Sequence, residues 1–372
     1  MLAIETIEVR GFRNLEAQAV ALHRRFNVIA GDNGQGKTNL LEAIYLTATT
    51  KSFRTSALLD CVQHGSDVTR VRSKIIDDRD AGAPPREQRV DLDHGKRVVR
   101  LDGKRPRTHA AFALATPIVL FEPASLALSQ GAAGERRKLL DRVAIHLAAS
   151  TGGGDALLAA ADRYRIAPHH RKKALDAGWD ARALDPFERL MSEHGAAIVR
   201  SRRHAAAALA PASIEAFQRI ARASLTLSVT YAPRAPEDPT EFAKLLAERR
   251  SEDARRGTAT VGPHLDDLAL ALDGRPARQV ASQGQHRALV LALKAAELAT
   301  IATARDADPI LLLDDVSSEL DPGRNAALFA FLHAHVGQIV LTTTRASLID
   351  IDRGGDARAD FEVRDGTVRR VG

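Results

Sequence analysis

Cysteine occurs once in the 372 residues, at Cys61, which excludes an intrachain disulfide framework and any Cys-rich zinc site. Aromatics are scarce at 4%, with one Trp and three Tyr, so aliphatic side chains must fill the interior. No stretch of about 18 apolar residues occurs, and charges interrupt even the Ala-rich segments, so neither a membrane-spanning helix nor a membrane partner is expected. The opening Met1-Leu2-Ala3-Ile4-Glu5 lacks a basic segment followed by an apolar one; no secretory leader is expected, and the expected location is cytoplasmic. Neither charge sign dominates: 53 Lys+Arg against 47 Asp+Glu leave +6, a slight lean towards a polyanionic partner. Against these scarcities stand 45% hydrophobic residues and a length that fits one large domain or two interleaved ones.

Apolar periodicity divides the chain. Ile4, Ile7 and Val9 alternate as in a strand, and Phe26 to Ala30 is a short apolar run entering a Gly-rich turn. Leu40, Leu41 and Ile44 fit one face of a helix. Val68 to Leu101 reads as β, with a turn at Asp102-Gly103, and Pro117 to Phe121 as a buried strand. From Glu135 the chain turns Ala-, Leu- and Arg-rich, predicting helices over 136–147, 155–164, 186–208 and 211–223, with breaks at Gly152-Gly153-Gly154 and from Pro168 to Gly178. Strand patterns return at 225–231 and 268–272. A long helix is expected from Gln283 to Ala304, then strands at 309–313 and 338–342 around a helix opening at Asp321-Pro322. The expected fold is α/β, one domain built from both chain ends around a mostly helical middle.

Gly31-Asp32-Asn33-Gly34-Gln35-Gly36-Lys37-Thr38, followed by Asn39, fits the phosphate-binding pattern G-x-x-x-x-G-K-[ST]. Its glycines let successive backbone N–H groups curl around phosphate oxygens. Lys37 would reach the β and γ phosphates of ATP, and the Thr38 hydroxyl would coordinate Mg²⁺. The helix opening at Lys37 adds the positive end of its dipole. Strand before and amphipathic helix after are the context this motif requires.

Pro309 to Leu313 is an apolar strand ending in Asp314 and Asp315. Beside the phosphate loop, Asp314 would enter the Mg²⁺ shell and Asp315 would polarise the attacking water. Asp321, preceded by Glu319-Leu320 and followed by Pro322, reads both as nucleotide-facing and as an ordinary helix N-cap. Ser282-Gln283-Gly284-Gln285 is similar to the L-S-G-G-Q signature loop of ABC-type ATPases. There the Ser hydroxyl, a Gly N–H and the helix N-terminus would meet the γ phosphate held by a second subunit. Taken singly, Ser282 is the N-cap of a surface helix. The order of motifs, with the phosphate loop early and the other three late and close together, matches ABC-type heads split by an insertion, as in the SMC class.

With these motifs in place, the chain resembles the RecF family over essentially its whole length. Gly11-Phe12-Arg13-Asn14-Leu15 is similar to the family's F-R-N segment, and Ser52-Phe53-Arg54 to its S-F-R. Glu135 to Asp141 resembles its R-R-x-x-L-D region and Gly262 to Leu268 its G-P-H-R-D-D-L. Phe121-Glu122-Pro123, Ser318 to Asp321 and Thr342-Thr343-Thr344 complete the set. Leu265 departs from the pattern by replacing an Arg, Ala124-Ser125 by replacing a more acidic pair after Phe121-x-Pro123, and Ala132-Ala133 by falling where the family often has Pro. Compared with ABC ATPases at large, Asp315 stands where Glu is usual and Thr343 or Thr344 where a switch His is usual, which implies slow hydrolysis. The resemblance implies an ABC-type P-loop ATPase head of residues 1–130 and 224–372, with a helical arm or lid of 131–223.

It further implies an ATP-dependent homodimer acting as a clamp on gapped or junction-containing duplex DNA in recombinational repair and replication restart, supporting the SOS response, with RecR, with or without RecO, as partner. Hydrolysis would be a slow, DNA-stimulated switch. DNA would touch basic groups without reading sequence. The candidates are Arg97, Arg100, Lys104 and Arg105, with Lys96 and Arg107, on a hairpin; Lys172 and Lys173, with His169, His170 and Arg171; and Arg200, Arg202 and Arg203. For any single one, a solvated surface is the plainer reading. Scarce aromatics favour duplex over a single-strand channel. A transporter ATPase subunit carries the same core motifs, and a P-loop small-molecule kinase carries the phosphate loop alone.

Overall fold

A computed structural model describes residues 1–79, 82–94, 96–221, 225–315, 329–349, 351 and 357–371. In chain order the strands are β1 (Leu2–Arg10), β2 (Gln18–Ala21), β3 (Phe26–Ala30), β4 (Val68–Asp77), β5 (Arg86–Asp93), β6 (Lys96–Leu101), β7 (Ile118–Phe121), β8 (Leu227–Ala232), β9 (Asp267–Leu272), β10 (Arg275–Pro276), β11 (Ile310–Leu313), β12 (Ile339–Thr343), β13 (Arg358–Arg364) and β14 (Thr367–Arg370). The helices are α1 (Lys37–Thr49), α2 (His109–Ala113), α3 (Ala127–Gln130), α4 (Ala133–Ser150), α5 (Gly154–Asp176), α6 (Ala181–Ala221), α7 (Pro239–Glu248), α8 (Arg250–Arg256), α9 (Ala277–Val280) and α10 (Gln283–Arg305). Among the described residues no helix is long and apolar enough to cross a membrane.

The chain divides into two compact units. The first joins Met1–Ala124 to Ile301–Gly372, so both chain ends build it, as expected. It contains a six-stranded sheet ordered β14-β13-β3-β12-β11-β7, parallel except for the β13–β14 hairpin, and a five-stranded antiparallel sheet ordered β2-β1-β4-β5-β6. The near-continuous apolar runs of β3, β11 and β12 suit strands buried on both faces. The antiparallel strands alternate instead, as in β4, where Thr69, Val71, Ser73 and Ile75 point inwards. Leu40, Leu41 and Ile44 of α1 join Ile7, Val71, Val90, Leu312 and Val340 in one aliphatic core. Gln338, fully buried, exchanges hydrogen bonds with the backbone of Ile4, tying β1 to the start of β12.

The second unit is Ser125–Thr300. Within it β8 and β9 form an antiparallel pair that packs on α6 and α4, so 225–300 joins the helices in one compact unit. The break expected from Pro168 to Gly178 is shorter, falling at 177–180, and the helices expected at 186–208 and 211–223 are one. α5 runs through Pro168 to Asp176, and α6 continues through Pro186 and Pro211 for 41 residues. A proline inside a helix removes one rung, at a cost of about 3 kcal/mol. The seam offsets it: Tyr164, Ala167, Arg171 and Ala174 recur at helical spacing on α5. Leu184, Glu188, Met191, Gly195, Ile198, Arg202, Ala205 and Leu209 do so on α6, all buried. A Cβ at Gly195 would lie 2.6 Å from the Phe242 ring, so only glycine admits this approach of α6 and α7.

Candidate nucleotide site and basic surfaces

β3, β12 and β11 lie side by side, all parallel, so their C-terminal ends deliver the phosphate loop, Thr342–Thr343 and Asp314–Asp315 to one edge of the sheet. Such an edge is where open α/β sheets bind ligands. The loop leaves β3 at Gly31, where a Cβ would lie 2.5 Å from the Val363 carbonyl oxygen on β13. Gly34 and Gly36 take φ of 84° and 119°, the left-handed region that glycine adopts without penalty. Gly36 precedes α1 with no side-chain cap, which leaves the first N–H groups of that helix available to an anion. Asp32, Asn33 and Gly34 are exposed at the rim; Gln35 and Asn39 are half-buried.

Lys37 is buried and donates to the carbonyls of Gly31 (2.7 Å) and Asp32 (2.8 Å). Burial pushes its pKa down, and the carboxylates of Asp315, Asp314 and Asp32 work against that. The Thr38 hydroxyl donates to Asp314 Oδ1 at 2.9 Å, and the Thr342 hydroxyl donates to the same oxygen at 2.8 Å. Thr342 Oγ1 in turn accepts from the Asp315 N–H at 2.9 Å. Asp315 sits at φ 46°, a left-handed conformation that Asp tolerates better than most residues. Thr38 and Asp314, far apart in sequence, thus present adjacent hard oxygen donors. One hydroxyl, one carboxylate and phosphate oxygens are the donor set Mg²⁺ takes, so the residues fit that ion. Among the described residues no cluster of three His, Cys, Asp or Glu side chains forms a free-standing metal site.

Behind the loop lies a network that the motifs alone did not reveal. Glu42 of α1, fully buried, accepts from Arg13 Nε (2.9 Å) and Nη2 (2.7 Å) and from the Ser52 hydroxyl (2.5 Å). Burial opposes its ionised form, yet the bonds from Arg13 and Ser52 prevail and hold its pKa below the usual range. Asn14 donates to the Gly34 carbonyl (3.1 Å) and accepts from Asn39 (2.6 Å), whose own carbonyl oxygen accepts from Arg54 (2.6 Å). The F-R-N and S-F-R segments therefore meet at the phosphate loop. A second brace comes from the β13–β14 turn: the N–H groups of Asp365 and Gly366 donate to the side-chain and main-chain oxygens of Gln35 at 2.6 and 3.0 Å. The Gly366 carbonyl accepts from the Glu16 N–H, and a Cβ on Gly366 would collide with the Asn14 carbonyl oxygen.

In the second unit, Ser282 Oγ accepts from the Gln285 N–H (3.3 Å) while Gln285 Oε1 accepts from the Ser282 N–H (2.7 Å). This is a reciprocal capping box, so the helix-cap reading of Ser282 is observed. Ser282 is exposed and Gly284 buried. Gln130 bonds Gln283, Ser129 bonds His286, and Arg142 and Lys294 clamp the fully buried Glu297, fastening α10 to α3 and α4. The G-P-H-L-D-D segment is a buried hub: Asp266 accepts from Arg202, Tyr231 and the Arg234 N–H, and Arg136 grips Asp267 bidentately. The departure at Leu265 falls on an exposed side chain of this segment. Asp321, with Ser318, Glu319 and Leu320, lies outside the described residues.

The basic groups separate into two kinds. Lys96, Arg97, Arg100, Lys104, Arg105 and Arg107 are all exposed on or just after β6. Arg97 is held by the Thr50 carbonyl at 2.9 Å, and Arg100 reaches the Gly103 carbonyl at 3.3 Å. Lys172 pairs with Asp176 and Lys173 is exposed. Arg171 and Arg202 are corrections: both are buried, Arg171 between Glu188 (2.9 Å) and Asp253 (2.5 Å), Arg202 between Asp141 and Asp266. Their carboxylate partners come from other elements, which no local charge run discloses.

Comparison with known proteins agrees with this geometry. The family of RecF/RecN/SMC N terminal domains matches residues 3–352. A DNA replication and repair protein RecF of Anaeromyxobacter sp. (strain Fw109-5) is 40% identical, with 98% of each chain covered, and one of Geobacter sulfurreducens is 34% identical over 99% of this chain and 100% of that one. A solved structure of the recombination mediator protein RecF with ATP, in the RecFOR pathway, superposes with a TM-score of 0.87 at 25% identity, covering 100% of this chain and 98% of the other. The Smc head domain of Pyrococcus furiosus shares the fold at a TM-score of 0.58 and 18% identity. A family model that matches nearly the whole chain and a relative 40% identical over 98% of it show the family: the chain belongs to the RecF family.

Proposed function

We propose that this protein is an ATP-gated DNA clamp of recombinational gap repair and replication restart, which also supports the SOS response. The direct Thr38–Asp314 contact carries the reading, because it brings together the two side chains that would hold the Mg²⁺ of a nucleotide switch. The loop backbone from Gly31 to Thr38 with Asn39 would cradle the phosphates, and Lys37 would move a donor from a carbonyl to the β and γ oxygens. Mg²⁺ would be held by Thr38 and Asp314 and would draw charge off the phosphates. Asp315, at the end of β11, would orient the attacking water; being one methylene shorter than Glu, it favours slow turnover and a long-lived ATP state. Ser282, Gly284 and Gln285, with Asp321, would complete the site of a second copy, making dimerisation ATP-dependent. Functionally, residues 1–130 and 224–372 act as the head and 131–223 as the arm.

Arg97, Arg100, Lys104, Arg105, Lys172 and Lys173 would contact phosphates of duplex, gapped or junction DNA, and RecR, with or without RecO, would be the protein partner. The relatives' roles in DNA replication and repair support this over a transporter subunit. Native mass measured with and without ATP, then with gapped duplex added, tests it. The expected result is a monomer that doubles in mass with ATP and then binds DNA. A chain that binds ATP but never doubles, with or without DNA, overturns the clamp.

A further inference from the structure

The five-stranded antiparallel sheet buries one face, through Ile7, Val9, Val71, Val90 and Val99, and turns the other outwards. Register fixes what stands on the outer face. One cross-strand row runs Glu8, Arg72, Arg89, Arg100; the next runs Arg10, Arg70, Asp91, Val98. Three arginines therefore stand consecutively across β4, β5 and β6, each about 4.8 Å from the next strand. Like charges placed directly opposite destabilise a sheet, and among the described residues ion pairs with neighbouring acids offset this for Arg72 and Arg89 but not for Arg100. The acids on the face are already engaged: Glu8 with Arg72, Glu87 with Arg72, Asp91 shared by Arg70 and Arg89, and Asp93, opposite Lys96 in register, with His94. Arg10, Lys74 and Lys96 are exposed and, among the described residues, in no ion pair. No aromatic side chain lies in these rows to stack on an unpaired base.

We infer that the outer face of this sheet is a platform for the phosphate backbone of duplex DNA, bound without regard to sequence. The inference rests on the DNA-binding reading above and names a surface for it that extends from β6 across β5, β4 and β1. Duplex DNA carries a negative charge every 1.7 Å or so of its axis, and a flat basic sheet without stacking groups can meet the backbone but not the bases. A merely blunted sheet edge would need cations on β6 alone; here they reach the central strands.

The test uses the full chain with ATP and a mixed-sequence duplex of about 30 base pairs, followed by fluorescence anisotropy across a salt series. The variant Arg10→Glu/Lys74→Glu/Lys96→Glu removes no ion pair and lies outside the nucleotide site. It should bind ATP normally, bind duplex at least tenfold more weakly, and lower the slope of log K against log salt by up to about 3, from about 0.9 per lost phosphate contact. Lys74→Gln/Lys96→Gln, a milder change, should lower the slope by up to about 2. If wild type binds duplex and both variants keep its affinity and slope, the platform is overturned while the DNA reading stands. If wild type itself does not bind duplex, the DNA reading fails first. Tighter binding of polyglutamate than of duplex would assign the face to an acidic protein and overturn the proposal.

Discussion

Lys37 has two of its three N–H donors on loop carbonyls, so a phosphate meets an ammonium already aimed and held. Charge-assisted bonds of this kind contribute about 1.5–3 kcal/mol each. Lys37→Ala should therefore weaken ATP binding by about 10- to 100-fold, read by nucleotide titration; unchanged affinity would remove this loop from the site. Asp315→Asn keeps the shape and the N–H bond to Thr342 but loses the carboxylate. ATP should still bind while turnover falls by about 100-fold, measured as phosphate release, and a wild-type rate would place the base elsewhere. These residues were legible because their spacing is local and their chemistry is written in one stretch. Thr342 and Gln35 as braces were not, since only pairing of β3, β11, β12 and β13 brings them to their partners, nor was Glu42, whose partners Arg13 and Ser52 reach α1 from the segments on either side of it.

Strands β3, β7, β11 and β12 were readable as apolar runs, and α1 and α10 as periodic ones. What sequence punctuation misplaced was the length of α5 and α6: Pro168 read as a break and Pro186 and Pro211 as helix starts, yet a buried seam outweighed them. Arg171 belongs to that seam. Removing one member of a buried charged cluster costs about 3–5 kcal/mol, so Arg171→Ala should lower the melting temperature of the second unit and leave nucleotide affinity in the first unchanged. Helix α10 has a comparable anchor in Glu297. Burial opposes its charge, but Arg142 and Lys294 hold its pKa down at about 2 against an ordinary 4.5. A pKa lowered by folding gives stability that is complete above the ordinary value and is lost as pH falls towards the folded one. Thermal melts should thus weaken between about pH 4.5 and pH 2, and Glu297→Gln should flatten that dependence.

At the scale of the molecule the question is whether two copies share nucleotide. Ser282 caps its own helix, and a capped exposed Ser can still offer its hydroxyl to a partner's phosphate. Ser282→Arg should leave ATP affinity of the single chain intact and abolish ATP-driven dimers in sedimentation; as a mere cap it would cost only about 1 kcal/mol of stability. Persisting dimers would take the signature segment out of the interface. The β13–β14 turn bears on a different matter, the order in which the protein is made. Gln35 and Glu16 emerge from the ribosome early, but the Asp365–Gly366 turn that braces them emerges some 330 residues after Gln35, behind the whole helical unit. Closing so long a span is entropically slow but adds little cost per doubling of length. A nascent chain therefore carries a complete phosphate-loop sequence without a finished loop. Nucleotide capture is thus expected to be a late event of biogenesis, one that awaits translation of the β13–β14 hairpin.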